Sequence, residues 1–185
     1  MNNVIFTICG NPTLDTTKEI IETSHADVII LGIPFSDPIA EAPDIQTDST
    51  RALKNGATLK HIFEMIEKSN SYSKLIFKTY ANVIYSYGAK RFMEQCQSLN
   101  IKGIIIPDLP FEEREEFNDI CHQYNITLIS VVASNTPNRV QRIVEKARDF
   151  IYISTRPQDD LSPVLNKLKQ FTNLPYIIDK DCKYQ

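Results

Sequence analysis

The stretch LGIPFSDPIAEAPDIQ, residues 31–46, decides the fold. It follows an apolar run, residues 27–31, that reads as a β-strand. It then carries Pro34, Pro38 and Pro43 with Asp37, Glu41 and Asp44, and shows no helical periodicity. A strand that empties into a long, proline-punctuated loop is where α/β proteins place binding and catalytic groups. By composition alone the same loop also reads as an acidic surface segment.

Outward from this loop, strand and helix patterns alternate. Short apolar runs at residues 4–8, 27–31, 75–79, 101–106, 126–132, 150–154 and 174–178 read as seven strands. Helical patterns follow the first six, at residues 13–24, 48–55 and 59–68, 89–98, 111–124, 136–147 and 160–171. Asp48 or Ser49 is the expected N-cap of the second helix and Gly56 its stop, while Thr136-Pro137 reads as a cap with an N1 proline. Glu112, Glu113, Glu115 and Glu116 suit a helix N-terminus through the macrodipole. Strict alternation implies a parallel sheet with right-handed crossovers. An open doubly wound sheet and a (β/α)8 barrel both fit, although the first strand lacks the glycine-rich turn of a dinucleotide fold.

The 185 residues read as one domain, 1–185, with 42% hydrophobic and 23% charged residues. A net charge of −3 gives no electrostatic case for nucleic acid or an anionic membrane, and no apolar run approaches the length of a membrane span. The start, MNNVIFTICGNP, has no basic segment and enters a strand directly, so no signal peptide is expected. Cys9, Cys96, Cys121 and Cys182 show no CxxC spacing, which predicts reduced thiols in a cytoplasmic protein. His25, His61 and His122 are equally scattered, so no metal is expected.

Several strings carry a family resemblance. GNP (10–12), GIPFSDP (32–38), TYANVIYSYG (79–88), IIIPDLPFEE (104–113), LISVVASNTPNRV (128–140), FIYIS (150–154) and FTNLP (171–175) resemble successive strand and loop motifs of the tryptophan synthase alpha subunit family. The resemblance spans about residues 4–178. It implies a TIM (β/α)8-type barrel, incomplete here, with seven strands and without the eighth strand and last helices. It also implies a lyase of tryptophan biosynthesis that cleaves indole-3-glycerol phosphate, by a retro-aldol reaction, to indole and glyceraldehyde 3-phosphate. The reaction uses no cofactor and no metal, and indole passes to a beta subunit.

Carried over residue by residue, the resemblance places the family's general acid/base glutamate at Ile30, where an aliphatic side chain cannot transfer a proton. The second carboxylate falls on Glu41, followed by Ala42 where the family has glycine. Glu41 is therefore either the catalytic carboxylate or a solvated loop acid. Ile45 and Ile105 match the apolar wall of the indole pocket, and Tyr80, Asn82 and Tyr152 match residues near it. Asp108 matches an acid that supports the site. Asp37, Pro38 and Pro110 match the surface that meets the beta subunit. Barrels of this type cradle phosphate on glycine-rich turns after strands seven and eight, but no glycine lies beyond Gly103. Lys180 stands there as a point charge, and Arg156 in the sixth loop is a lone cation without a glycine-containing lid. Three readings follow: a normal or weakened lyase, an inactive relative that binds a beta subunit, and an open barrel completed by self-association.

Overall fold

The computed structural model describes residues 3–38, 41–156 and 158–185. Ile39 and Ala40 of the second loop and Pro157 of the sixth lie outside them. The strands are β1 (Val4–Ile8), β2 (Val28–Gly32), β3 (Lys74–Lys78), β4 (Gly103–Ile105), β5 (Thr127–Leu128), β6 (Ser130–Ala133), β7 (Ile151–Ser154), β8 (Tyr176–Ile178) and β9 (Lys183–Tyr184). The helices are α1 (Leu14–Thr23), α2 (Pro43–Lys54), α3 (Leu59–Glu67), α4 (Ala81–Tyr87), α5 (Ala89–Ser98), α6 (Glu115–Gln123), α7 (Val140–Glu145) and α8 (Ser162–Phe171).

Every strand pairing is parallel, in the orders β5-β4-β3-β2-β1-β9 and β6-β7-β8. The expected fifth strand divides into β5 and β6, and this division joins the two sheets. Thr127 and Leu128 pair with β4, and residues 130–133 pair with β7. At the handover the Leu128 carbonyl accepts from the buried Arg114 guanidinium at 3.1 Å, and Ser130 Oγ accepts from it at 2.8 Å. Burial holds the Arg114 pKa below its usual value. The result is an alpha/beta barrel with its helices outside, open between β8 and β9.

Strand alternation sorts the side chains into two faces. Phe6, Ile8, Ile30, Ile76, Ile105, Ile129, Tyr152 and Ile177 pack together inside the barrel. Ile5, Ile29, Leu31, Leu75, Phe77 and Ile104 point outward against the helical layer, where they meet Ile21, Ile62, Phe63, Phe92 and Phe117. A third cluster packs Ile151 and Ile153 of β7 against Val140, Ile143, Val164 and Leu168 of α7 and α8. The parity that turns Ile76 inward also turns Lys78 inward.

Four expectations are corrected. Helix α2 begins at Pro43, not near residue 48, because proline is preorganised for N1 and Ala42 before it is extended at φ −65°, ψ 154°. Ser49 is therefore inside α2, and its hydroxyl binds Phe35 by accepting from the backbone N–H at 2.8 Å and donating to the carbonyl at 3.0 Å. Residues 81–87, left between the expected strand at 75–79 and the expected helix at 89–98, form α4, which ends where Gly88 takes φ +94°. Thr136 does stand at an N-cap with Pro137 behind it, but of a 3-10 turn (Pro137–Arg139), and its hydroxyl makes no cap bond, donating instead to the Ala133 carbonyl at 3.0 Å. Finally, the free edge expected beside β1 is partly covered. Lys183–Tyr184 pairs with Ile5 and Phe6, the Gln185 N–H donates to the Phe6 carbonyl at 3.1 Å, and the Tyr184 hydroxyl donates to Asp48.

Two measurements test this packing. Gly10 sits at φ +87°, and a Cβ there would lie 2.5 Å from the Ala57 Cβ. Gly10→Ala is expected to lower unfolding free energy by about 2 kcal/mol in a urea titration. Burial pushes the Cys9 and Cys121 thiols up to about 12, with Cys96 also raised. Between about pH 9 and 12 the folded chain keeps thiol protons that the unfolded chain loses, so stability falls as pH rises through this range and is flat just below it. Urea midpoints measured across that range check the sign.

Candidate active site

The C-terminal ends of the parallel strands form the mouth of the barrel. A cavity of about 250 Å³ opens there, lined by Phe6, Glu41, Ala42, Ile45, Lys78, Tyr152, Thr155, Asp179 and Lys180. At its centre Lys78 Nζ lies 2.7 Å from Glu41 Oε1 and 2.9 Å from Oε2, and the two side chains are only 8% and 10% exposed. The ammonium also stands 5.0 Å from the centroid of the Phe6 ring and 5.3 Å from that of Tyr152, within range of cation–π attraction. Lys78 pairs in register with Gly32 on one side and Ile105 on the other. Gly32 itself stands against Ile8 and Phe6, where a Cβ would come within 2.6 Å of the Ile8 side chain.

Glu41 reaches this point because the second loop folds back over the mouth. Its N–H donates to the Pro38 carbonyl at 3.0 Å, and its own carbonyl accepts from the Gln46 side-chain amide at 2.9 Å. Ile45, in the first turn of α2, follows it onto the inner apolar cluster. On the opposite wall Asp179 accepts from the Thr155 N–H at 2.8 Å, from the Thr155 hydroxyl, and from the Lys180 N–H at 2.7 Å. Burial, reinforced by the Asp179 and Glu41 carboxylates, raises the Tyr152 pKa well above the usual phenol value. Tyr152 therefore presents a neutral hydroxyl at physiological pH. Burial and Asp179 likewise push the Cys182 thiol up to about 12.

The structure thus brings three of the residues expected at the site, Glu41, Ile45 and Tyr152, onto one cavity. Ile105 lies deeper in the barrel interior, fully buried. The others gather at the neighbouring rim. Tyr80 is buried and stacks on Phe35 with centroids 4.9 Å apart, and Asp108 accepts from the Ala81 N–H at 3.1 Å at the start of α4. Asn82 is exposed in the first turn of α4, where its side-chain carbonyl accepts from Ser86. Asp37 and Pro110 are exposed, whereas Pro38 is buried. Ile30 is 0% exposed and packs inside the barrel, so it fills space at the position of the family's glutamate. Arg156 is exposed and its N–H donates to Asp159 at 2.9 Å.

Lys78 was not foreseen among the site residues. Its signal was present in LIFKT, residues 75–79, where a charged side chain shares the parity of a buried isoleucine two residues earlier. Among the described residues no group of three or more His, Cys, Asp and Glu side chains could hold a metal ion, and no helix is long and apolar enough to cross a membrane.

Removing one member of a buried pair leaves the other charge uncompensated. Lys78→Met is expected to cost about 3 kcal/mol of stability, and the double change Lys78→Met with Glu41→Leu to recover most of it. Urea unfolding of the two single variants and the double variant measures this coupling.

Comparison with known proteins bears on the family and the fold. The family model of the tryptophan synthase alpha chain matches residues 1–178. The alpha chain of Alkaliphilus metalliredigens is 36% identical over 95% of this chain and 71% of its own length. That of Caldanaerobacter subterraneus is 34% identical over 93% of this chain and 71% of its own. Among solved structures, the Campylobacter jejuni tryptophan synthase alpha subunit superposes with a TM-score of 0.82 at 32% identity, over 95% of this chain and 76% of that one. A chain from the Pyrococcus furiosus tryptophan synthase α2β2 complex does so with a TM-score of 0.87 at 28% identity, over 96% and 76%. This chain, an incomplete TIM-type barrel, belongs to the tryptophan synthase alpha chain family.

Proposed function

We propose that the chain cleaves indole-3-glycerol phosphate to indole and glyceraldehyde 3-phosphate, with Glu41 as its catalytic carboxylate. The observation that carries this reading is the delivery of Glu41 by the second loop to a cavity walled by Ile45, Phe6 and Tyr152. Retro-aldol cleavage adds a proton to the indole ring carbon and removes one from the neighbouring glycerol hydroxyl. Ile30 can do neither. Glu41 and Lys78 form a base and an acid 2.7 Å apart, and the low exposure of both strengthens their electrostatic effect on a bound substrate. The aromatic rings of Phe6 and Tyr152 supply faces for a flat apolar ring. Lys180, exposed at the edge of the same cavity, is the cation available to a phosphate, in place of a glycine-rich turn.

A second reading is an inactive relative that serves as partner to a beta subunit. Full burial of Ile30 inside the barrel favours it, because the position of the family's glutamate then offers no proton at all. The comparison with an α2β2 complex supports a beta-subunit partner under either reading. Exposed Asp37 and Pro110 at the mouth are the residues of this chain proposed to meet it. The open edge between β8 and β9 makes self-association a further route to a complete barrel.

Indole release from indole-3-glycerol phosphate, measured alone and with a beta subunit, tests the reading. Release is expected, and Glu41→Gln is expected to lower it by about 10²-fold. Absence of release in both conditions would sink the lyase reading. A beta subunit that then co-migrates with the chain in size-exclusion chromatography would establish the second.

A further inference from the structure

Among the described residues, Lys78 and Arg114 are the buried charged ones. Arg114 directs its donors to Ser130 and the Leu128 carbonyl, where it joins two sheets. Lys78 joins no two sheets; its ion pair ties β3 to the second loop. It ends inside a cavity that opens to solvent, where it pairs with Glu41, a carboxylate able to take and return a proton. A buried ion pair is weak evidence of stabilisation, since well-packed apolar residues of similar volume do as well or better. A primary amine in an apolar cleft beside a proton carrier is instead the arrangement that captures carbonyl compounds.

We propose that Lys78 is an imine-forming nucleophile that takes small hydroxy-aldehydes or hydroxy-ketones at the barrel mouth, with Glu41 as its proton carrier. The ammonium first transfers a proton to the Glu41 carboxylate across their 2.7 Å contact. The freed nitrogen lone pair attacks the carbonyl carbon, the carbon–nitrogen bond forms, and the carbonyl π electrons move to oxygen. A proton passes from nitrogen to that oxygen, giving a neutral carbinolamine. Nitrogen then forms the second bond to carbon as the carbon–oxygen bond breaks, and the hydroxyl leaves as water with the proton held by Glu41. One ammonium and one carbonyl become one iminium and one water, with Glu41 again a carboxylate. Charge is conserved: the pair is ionic at the start and at the iminium, and neutral on both sides in between, so neither group is left as a lone buried charge.

The cavity also limits the ligand. Its volume of about 250 Å³ leaves room beside Lys78 for a carbonyl compound of roughly three to four carbons. Tyr152, Thr155 and Lys180 on the walls suit hydroxyl or anionic substituents. This activity goes beyond the lyase reading and does not require it, because capture is read without indole.

The experiment incubates the full chain with glyceraldehyde and sodium cyanoborohydride and maps the reduced adducts by peptide mass spectrometry. Lys78 is expected to be labelled about 10²-fold faster than the exposed Lys60 and Lys90, with Glu41→Gln removing most of that advantage. Lys78→Arg keeps a cation opposite Glu41 and lacks the primary amine, so its folded protein, verified by circular dichroism, is expected to show only surface labelling. Labelling of Lys78 no faster than Lys60 would overturn the proposal. So would an unchanged rate at Lys78 in folded Glu41→Gln, since proton carriage by Glu41 is part of it. Indole release measured on the same preparations keeps this result separate from that of the lyase assay.

Discussion

The contact between Lys78 and Glu41 constrains more of this molecule than its size suggests. An ammonium that turns inward from a barrel strand must find an anion or remain desolvated without compensation. Here the anion comes from the second loop, which has to close over the mouth to deliver it. That closure sets Ala42 and Pro43 at the head of α2, brings Ile45 against the inner cluster, and makes the floor and roof of one cavity. The absence of a side chain at Gly32 belongs to the same constraint. A Cβ there would stand 2.6 Å from Ile8 and 3.0 Å from Phe6, the ring that faces the lysine.

The barrel solves its edges locally. At the β5/β6 handover, Ile129 donates its N–H to the Ile104 carbonyl while Ser130 begins the ladder with Ile151. Arg114 takes up the carbonyl that the turn from one sheet to the other releases. At the other side, β9 gives β1 a partner over two residues, with the Tyr184 ring 5.7 Å from Phe6 and Lys183 donating to the Asn3 side chain at 3.0 Å. The Tyr184 pKa is raised by burial and by Asp48, so the hydroxyl remains a donor to that carboxylate. The Phe6 wall of the cavity is thus backed by the Tyr184 ring.

Much of the architecture was legible from the alternation of apolar runs with helical patterns, and the motif strings located the family. Boundaries failed where a local rule was outweighed. Asp48 and Ser49 have good cap chemistry, but Pro43 begins the helix earlier and releases Ser49 to hold Phe35. The segment 81–87 carries no proline or glycine to break it, and Asp108 accepts its first N–H from across the mouth. That support comes from 27 residues away and has no local signature.

For the site, the sequence by itself determined which face each strand residue takes, because a period of two leaves no choice once one inward residue is known. It determined that Ile30 cannot move a proton, that Glu41 sits in a loop after a barrel strand, and that Lys78 shares the parity of Ile76. Only the tertiary structure decided that the lysine and the glutamate, 37 residues apart, meet within hydrogen-bonding distance. It also decided that Tyr184, 136 residues from Asp48, bonds to it beside the same cavity. Parity fixes a direction along one strand, whereas a meeting between strand and loop depends on how far the closed sheet curves and where the chain returns over its mouth.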